Sequence, residues 1–306
     1  MQMHPAKRLL FYATELFIAS VLVFAVIHLI PGDPMNLIVR PNSPREVREA
    51  ARQRLGLDKP LPEQYLLFLS SAVRGDFGRS LAFKTPVSKV IGDRVIPTLQ
   101  LTFAGLVLSY LIAIPLGIVA AIRPRTWIDL MSMTAALVGI CVPAFWLALM
   151  LIILFGVKLG WLPTTGYGGP RHFVLPVVTL AVGGVGMNAR MMRSSMLEVL
   201  SQDYVVVARS KGLPERMVLM RHALKNALLP MIALLGMRIG WLIGGDVIIE
   251  FVFAWPGLGR LLVDSIMTRD YPVFQATMLI IVTSVILSNI VADLLYSRVD
   301  PRISHG

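Results

Sequence analysis

Asp203-Tyr204-Val205-Val206-Val207-Ala208-Arg209-Ser210-Lys211-Gly212-Leu213-Pro214 is followed, six residues on, by Arg221-His222-Ala223-Leu224-Lys225-Asn226-Ala227-Leu228-Leu229-Pro230. Helical periodicity runs through both pieces and breaks at Gly212-Leu213-Pro214, where glycine suits the end of one helix and proline the first turn of the next. Residues 193–225 therefore read as helix, turn, helix. Arg193, Arg209, Lys211, Arg216, Arg221 and Lys225 stud this stretch, and apolar runs lie on either side of it. The expected place is the inner face of a membrane, where loops gather Lys and Arg.

Working outward, apolar runs of spanning length fall at 9–30, 99–122, 130–157, 175–189, 228–249 and 276–296. About 20 apolar residues cross a bilayer as helix, so six transmembrane helices are expected. The fourth is thinned by Gly183, Gly184 and Gly186 and ended early by Asn188 and Arg190. Composition agrees: of 306 residues 56% are hydrophobic and 15% charged, against about 45–50% and about 25% in soluble domains, and the mean hydropathy is +0.70. The net charge of +11 raises nucleic acid as a partner, yet the basic residues cluster between apolar runs, where they orient a membrane protein. No nucleic-acid partner is expected.

One side of the membrane collects Lys7, Arg8, Arg123, Arg125, Arg190, Arg193, Arg209, Lys211, Arg216, Arg221, Lys225, Arg298 and Arg302; the other short loops hold Lys158, Arg171, Arg260 and Arg269. Both termini are then expected in the cytoplasm. Residues 1–30 form the cytoplasmic N-terminus and first helix, 31–98 a periplasmic insertion, and 99–306 the core with helices 2–6. Lys7 and Arg8 ahead of Leu9–Ile30 begin like a signal peptide, but the run exceeds a usual h-region and Pro31-Gly32-Asp33-Pro34 offers no small-x-small cleavage site. A retained first span is expected. Within the insertion, Pro44–Leu57 has a polar helical face and suggests a small cap that either receives a partner protein or covers the mouth of the bundle.

The opening stretch resembles the cytoplasmic coupling loop of permeases of binding-protein-dependent ABC importers, specifically their peptide and nickel branch. There an aspartate-tyrosine pair leads to a small residue, a basic pair and glycine, and a His-Ala-Leu-basic-Asn-Ala run ends at proline. The wider superfamily's Glu-Ala-Ala start is replaced by Val206, Val207 and Ala208. Further resemblances run end to end: Pro31-Gly32-Asp33-Pro34, Leu55-Gly56-Leu57-Asp58-Lys59-Pro60-Leu61 with Gln64-Tyr65, Gly75-Asp76-Phe77-Gly78, Trp161-Leu162-Pro163, Trp255-Pro256-Gly257-Leu258-Gly259 and Arg269-Asp270-Tyr271-Pro272. They are similar to the family's first permease subunit, which carries an insertion after helix 1.

The resemblance implies an all-α membrane protein of the type I importer permease fold in the cell inner membrane. Its implied partners are a second homologous permease, two ATP-binding subunits that hydrolyse the ATP, a periplasmic or lipid-anchored substrate-binding protein, and membrane lipid. Coupling to the ATPases would fall to Asp203, Tyr204, Ala208, Arg209, Lys211, Gly212, Arg221 and His222. Ala208 and Gly212 are small enough for close approach to a groove, and Arg209 and Lys211 can meet acidic groups. A rigid hairpin rooted in two spans can carry a push, whereas a floppy loop cannot. The alternative is a surface helix held by anionic headgroups. The implied cargo is a small peptide of dipeptide, oligopeptide or glutathione type. Nickel or a nickel chelate is the rival, on Tyr167-Gly168-Gly169 and on Ile248-Ile249-Glu250 with Phe253-Ala254-Trp255.

Two features of the fifth run suggest a translocation pathway or permease interface. Gly236, Gly240 and Gly244 recur at i+4, a face that lets another helix approach closely. Arg238 stands near the middle of the run, where a charge is costly unless it lines a hydrated path or pairs with an acid; Glu15, Asp246 and Asp293 are the acids available. Asp293 near Arg298 reads as an end-of-helix pair, and Glu15 as reaching toward headgroups.

Catalysis by this chain is not expected. No Gly-x4-Gly-Lys-Ser/Thr phosphate loop is present, and Gly184-Val185-Gly186-Met187-Asn188-Ala189 matches a dinucleotide pattern without the strand that must precede it. The five histidines have no ligand spacing and Cys141 stands alone, so neither a cofactor nor a protein-built metal site is expected. A secondary transporter would need midplane ion-coupling acids and an internal repeat, and an intramembrane enzyme a clustered nucleophile and base. The sequence offers neither set.

Overall fold

The structure, a computed structural model, describes residues 5–29, 46, 49, 58–240 and 242–299. Apart from residues 46 and 49, the helix expected over Pro44–Leu57 lies outside the described residues, as does the Pro31–Pro34 motif. α1 (Pro5–Leu29) follows the first apolar run. α2 (Leu61–Val73) starts at Leu61-Pro62, a proline placed in the first turn where its missing N–H costs nothing. α3 (Val87–Ile122) begins twelve residues before the apolar run and continues through Pro97 and Pro115.

The third run is not one straight helix. α4 (Trp127–Cys141) stops at Val142-Pro143, and α5 (Ala144–Leu151), extended by a π-helical segment to Lys158, leaves at 99° to it. Pro143 removes a ladder N–H and pushes Val142 into extended backbone, φ −73° and ψ 121°. α6 (Arg171–Leu200) is 30 residues long, well beyond the expected 175–189. Its glycines are points of close packing: a Cβ on Gly186 would lie 2.2 Å from the carbonyl oxygen of Ala136 in α4, and one on Gly184 2.5 Å from Ser109 Oγ in α3. Gly105 and Gly117 of α3 meet Leu180 and Met192 of α6 in the same way. α3 and α6 thus run parallel in tight contact, with α4 antiparallel to both. The dinucleotide-like pattern lies in the middle of α6, on helix.

α7 (Asp203–Ser210) leads to a turn, and the chain returns through α8 (Glu215–Met217), a π-helical segment at Val218–Ala223, α9 (Leu224–Ala227) and α10 (Leu229–Gly240). Residues Glu215–Gly236 form one helical path long enough to span. The fifth run does not reach 249 as a helix: α10 ends at Gly240 and Leu242–Gly244 is a turn. α11 (Val247–Val252), α12 (Leu258–Met267) and α13 (Tyr271–Val299) complete the fold. Four described helical segments are long and apolar enough to cross a bilayer, five with the bent α4–α5 pair taken as one; α1 adds the shorter apolar stretch Leu10–Val26. The side chains of Asp293 and Arg298 lie outside the described set.

The two ends of the bundle are built differently. At the end carrying α7, Arg193 of α6 donates twice to Asp129 of α4, at 2.6 Å each, and the Arg125 N–H adds a third bond at 2.9 Å. Asp129 is buried. At the opposite end the buried Glu250 of α11 receives the Thr98 hydroxyl of α3 at 2.7 Å and the Arg260 N–H of α12 at 3.1 Å, while Thr98 accepts from Leu258 N–H at 2.8 Å. Burial pushes the Glu250 carboxyl up, and these donors pull it back. The Trp255 indole donates to the Pro97 carbonyl at 2.9 Å and meets Phe173 and Tyr167 edge-on, ring centres 4.6 and 4.9 Å away. Asp270, just ahead of α13, receives Ser80 Oγ and the N–H groups of Leu81 and Ala82 at 3.1 and 3.0 Å. That carboxylate fastens the loop before α3 to the base of α13.

Candidate functional site: a basic hairpin and a cavity at two helix breaks

The hairpin after α6 has a small core of its own. Val205 and Ala208 on the inner face of α7 are buried against Val218, with Leu200 and Leu213 closing the cluster. Arg209 reaches across the turn to Glu215, donating at 2.7 and 3.2 Å, a hydrogen bond that holds the guanidinium further above its ordinary pKa. The amide of Asn226 donates to Tyr204 Oη at 2.7 Å. Gly212 has φ +74°, the left-handed conformation that the Gly-Leu-Pro break requires.

The coupling candidates divide on this geometry. Asp203, in the first turn of α7, and Tyr204, Arg209, Lys211, Gly212 and Arg221 are exposed, and His222 is half-buried. Ala208 is a correction: it is 6% exposed and faces Val218. Its small size lets α7 close on the returning chain and offers nothing to an external groove. Val206, Val207, Met217 and Met220 are exposed among the basic residues, giving the hairpin an apolar surface with a cationic rim.

Two of the second group of candidates line a cavity of about 500 Å³, while Gly236, Gly240 and Gly244 are not among its described lining residues. Arg238 and Asp246 both line it, together with Ser109, Asn188 and Thr102. Residues of both helix interruptions also line it: Val142 and Pro143 at the α4–α5 bend, Leu242 and Gly245 in the turn after α10. Non-helical backbone at membrane depth is tolerated where it lines a hydrated cavity. Arg238 stands in the last turn of α10 and not at the middle of a continuous span. There the C-terminal end of the helix dipole favours a cation. Its guanidinium reaches Met187 Sδ at 3.7 Å, and no carboxylate pairs with it among the described residues. Asp246 caps α11, accepting from Ile249 N–H at 3.1 Å. The glycine stripe also needs correction: Gly236 and Gly240 share α10, but Gly244 lies in the turn beyond it. The three do not form one helix face.

Residues 113–305 match the family model described as binding-protein-dependent transport system inner membrane component, and residues 1–102 match the model for the N-terminal part of such components. The chain belongs to this family. It is an inner-membrane, multi-pass permease of the ABC importer type. Glutathione transport system permease protein GsiC of Escherichia coli strain K12 is 46% identical over 299 residues, 98% of each chain, and the protein of that name in Shigella flexneri serotype 5b matches equally. Among solved structures, the inward-facing MetNI methionine ABC transporter aligns with 69% of this permease and 96% of its own chain, at 20% identity and a TM-score of 0.57. An amino acid ABC transporter with histidines aligns at 18% identity and 0.53, covering 69% of this permease and 94% of that chain. These two likenesses bear on the fold, that of type I importer permeases.

Several residues that organise the permease escaped the sequence reading. Asp129 and Arg193 form its most buried ion pair among the described residues, yet they stand 64 positions apart and Asp129 reads as an ordinary first-turn acid. Glu250 was visible only as part of a motif. The glycines of Trp255-Pro256-Gly257-Leu258-Gly259 are explained by their closeness to α11: a Cβ on Gly257 would lie 2.3 Å from three atoms of the Glu250 carboxylate, and one on Gly259 2.6 Å from Val247 Cα. Pro143, inside an apolar run of 28 residues, was the signal for the bend.

Proposed function

We propose that this permease forms half of the translocation pathway of an ATP-driven importer that carries small peptides of the glutathione type into the cytoplasm. The observation that carries the cargo assignment is the 46% identity, over 98% of both chains, to a glutathione transport permease. In this reading a second, homologous permease completes the pathway and a periplasmic or lipid-anchored binding protein delivers the cargo. Two ATP-binding subunits grip the hairpins and hydrolyse the ATP. Closure of the ATPase dimer moves the hairpins, the permeases open outward to accept cargo, and hydrolysis resets them. Uptake of labelled glutathione into vesicles bearing the assembled complex tests the assignment. Uptake is expected to be ATP-dependent and suppressed by excess unlabelled glutathione; transport of a nickel chelate in its place would overturn it.

The cavity gives Arg238 its part. A guanidinium with no carboxylate partner among the described residues, lining a space of about 500 Å³, attracts the carboxylates that every peptide carries, and Ser109, Asn188 and Thr102 supply neutral hydrogen bonds along the wall. Arg238→Leu is expected to leave the permease inserted and assembled while lowering uptake at least tenfold at limiting cargo. Unchanged uptake would remove Arg238 from the pathway.

The same reading puts both termini in the cytoplasm and residues 31–98 on the periplasmic side, supported by the gathering of Arg123, Arg125, Arg193, Arg209 and Lys211 at the hairpin end of the bundle. With Cys141 replaced by serine, a cysteine at Ser43 is expected to react with an impermeant reagent from the periplasmic side and one at Ser210 from the cytoplasmic side. The reverse pattern would invert the topology.

A further inference from the structure

We infer that α2, within the insertion, is an interfacial membrane helix whose outward face contacts lipid acyl chains. The inference rests on α1 spanning the membrane and is independent of cargo and of which compartment the insertion faces.

The depth of α2 follows from what it touches. Tyr65 Oη shares a hydrogen bond of 2.7 Å with Ser20 Oγ of α1, and the Tyr65 ring packs edge-on against Phe17 and Phe24. Phe68, one turn on, meets Phe24 with ring centres 5.9 Å apart. α1 has 25 residues, about 37 Å of helix, against a hydrocarbon layer of about 30 Å. Ser20 lies nine residues before Leu29, so about 13 Å below the end of the helix. With α1 centred in the bilayer, the Ser20–Tyr65 contact falls about 10 Å inside the hydrocarbon edge. Ser20 is buried, and two hydroxyls satisfying each other is what an apolar layer demands.

The chemistry of α2 fits that depth. Gln64, Tyr65, Phe68, Leu69 and Ala72 form the partly buried face toward α1, while Leu61, Leu66, Leu67 and Val73 are exposed, Leu66 by 62% and Val73 by 82%. At 13 residues, about 20 Å, α2 is too short to cross. Charges mark both its ends: Lys59 pairs with Glu63 at 3.8 Å, and Arg74 and Asp76 follow its last turn. A helix too short to cross, whose apolar side chains face outward about 5–10 Å below the headgroups, is placed as an interfacial helix is. Its outward face continues the exposed apolar surface of α1, where Phe17, Ile18 and Leu22 are also uncovered. Apart from Glu63 near its start and Ser70, whose hydroxyl donates back to the Leu67 carbonyl at 2.9 Å, it carries branched aliphatics and no glycine, unlike the small-residue faces that membrane helices present to each other.

Spin labels on single cysteines, in a Cys141→Ser background and in the assembled complex in phospholipid vesicles, test the inference. Labels at Leu67→Cys and Val73→Cys are expected to collide with dissolved oxygen several-fold more readily than with a water-soluble nickel chelate, and a label at Asp58→Cys to show the opposite order. Leu66→Cys gives a further site if either variant fails to assemble. Equal access of the chelate to Leu67 and Asp58 would return α2 to a water-exposed cap. Shielding of Leu67 from both reagents would mean that protein, either the second permease or the binding protein, covers this face. Either result overturns lipid contact, and glutathione uptake measured on the same vesicles reports separately on the cargo assignment.

Discussion

Gly212→Val is expected to abolish cargo-stimulated ATP hydrolysis and uptake by the reconstituted complex, while the permease still inserts and still co-purifies with the second permease. Gly212 has φ +74° and a Cβ there would meet nothing within 4 Å, so the cost is conformational and not a clash. An L-residue in the left-handed region pays about 1–2 kcal/mol, and a β-branched one fits worst. The hairpin has little to set against this, since its private core is Val205, Ala208 and Val218. Relaxing φ would swing α7 away from Val218 and part Arg209 from Glu215. Asparagine tolerates the left-handed region, so Gly212→Asn is expected to retain most of the stimulation. Full stimulation and full uptake in Gly212→Val would show that the hairpin is not the mechanical link and would restore the reading of a headgroup-bound surface helix.

Gly257→Ala should cause the largest loss of stability. The added methyl would stand 2.3 Å from Cδ, Oε1 and Oε2 of Glu250, itself 0% exposed, so the carboxylate must move. Moving it strands the Thr98 hydroxyl and the Arg260 N–H that it satisfies, and overpacking with lost buried hydrogen bonds costs about 2–5 kcal/mol together. The expected readout is a fall of several degrees in the melting temperature of the detergent-purified permease and a drop in assembled complex. Gly169→Ala is the control, because a Cβ at that position meets nothing within 4 Å. Equal melting temperatures for the two variants would mean that the Glu250 knot does not hold the α11–α12 end together.

The elements read correctly from sequence are those that one physical rule decides. The cores of α1, α3 and α13 are long uninterrupted apolar stretches, and the hairpin shows itself through Gly212-Leu213-Pro214. What was misread turns on partners remote in sequence. The glycines of α6 read as weakness because their purpose, contact with Ala136 and Ser109, is visible only in three dimensions. The fifth run looked continuous to 249 because Leu242, Ile243, Val247 and Ile248 are as apolar as a span, yet Gly244-Gly245-Asp246 turns the chain and caps α11. Arg238 was found as a charge within an apolar run, but its helix-end position depends on that break. Glu250 finds its hydroxyl donor 152 residues away and Asp270 its own 190 away; no local pattern announces either.

The Asp129–Arg193 fork has a mechanical consequence. α6 is a rod of about 45 Å, fixed to the hairpin at one end and packed along α3 and α4 through glycine contacts that leave no slack. Because the fork and the Arg125 N–H bind the α3–α4 turn to this rod near its hairpin end, tilting α6 carries the foot of α4 with it. A tilt of about 5° displaces the far end of such a rod by about 4 Å. In the proposed coupling, the bend at Val142-Pro143, where α4 and α5 meet at 99°, is the joint at which such a stroke would be taken up. On the proposed coupling role, a nudge on the hairpin would thereby reach the cavity as a change in its width, with no helix having to melt.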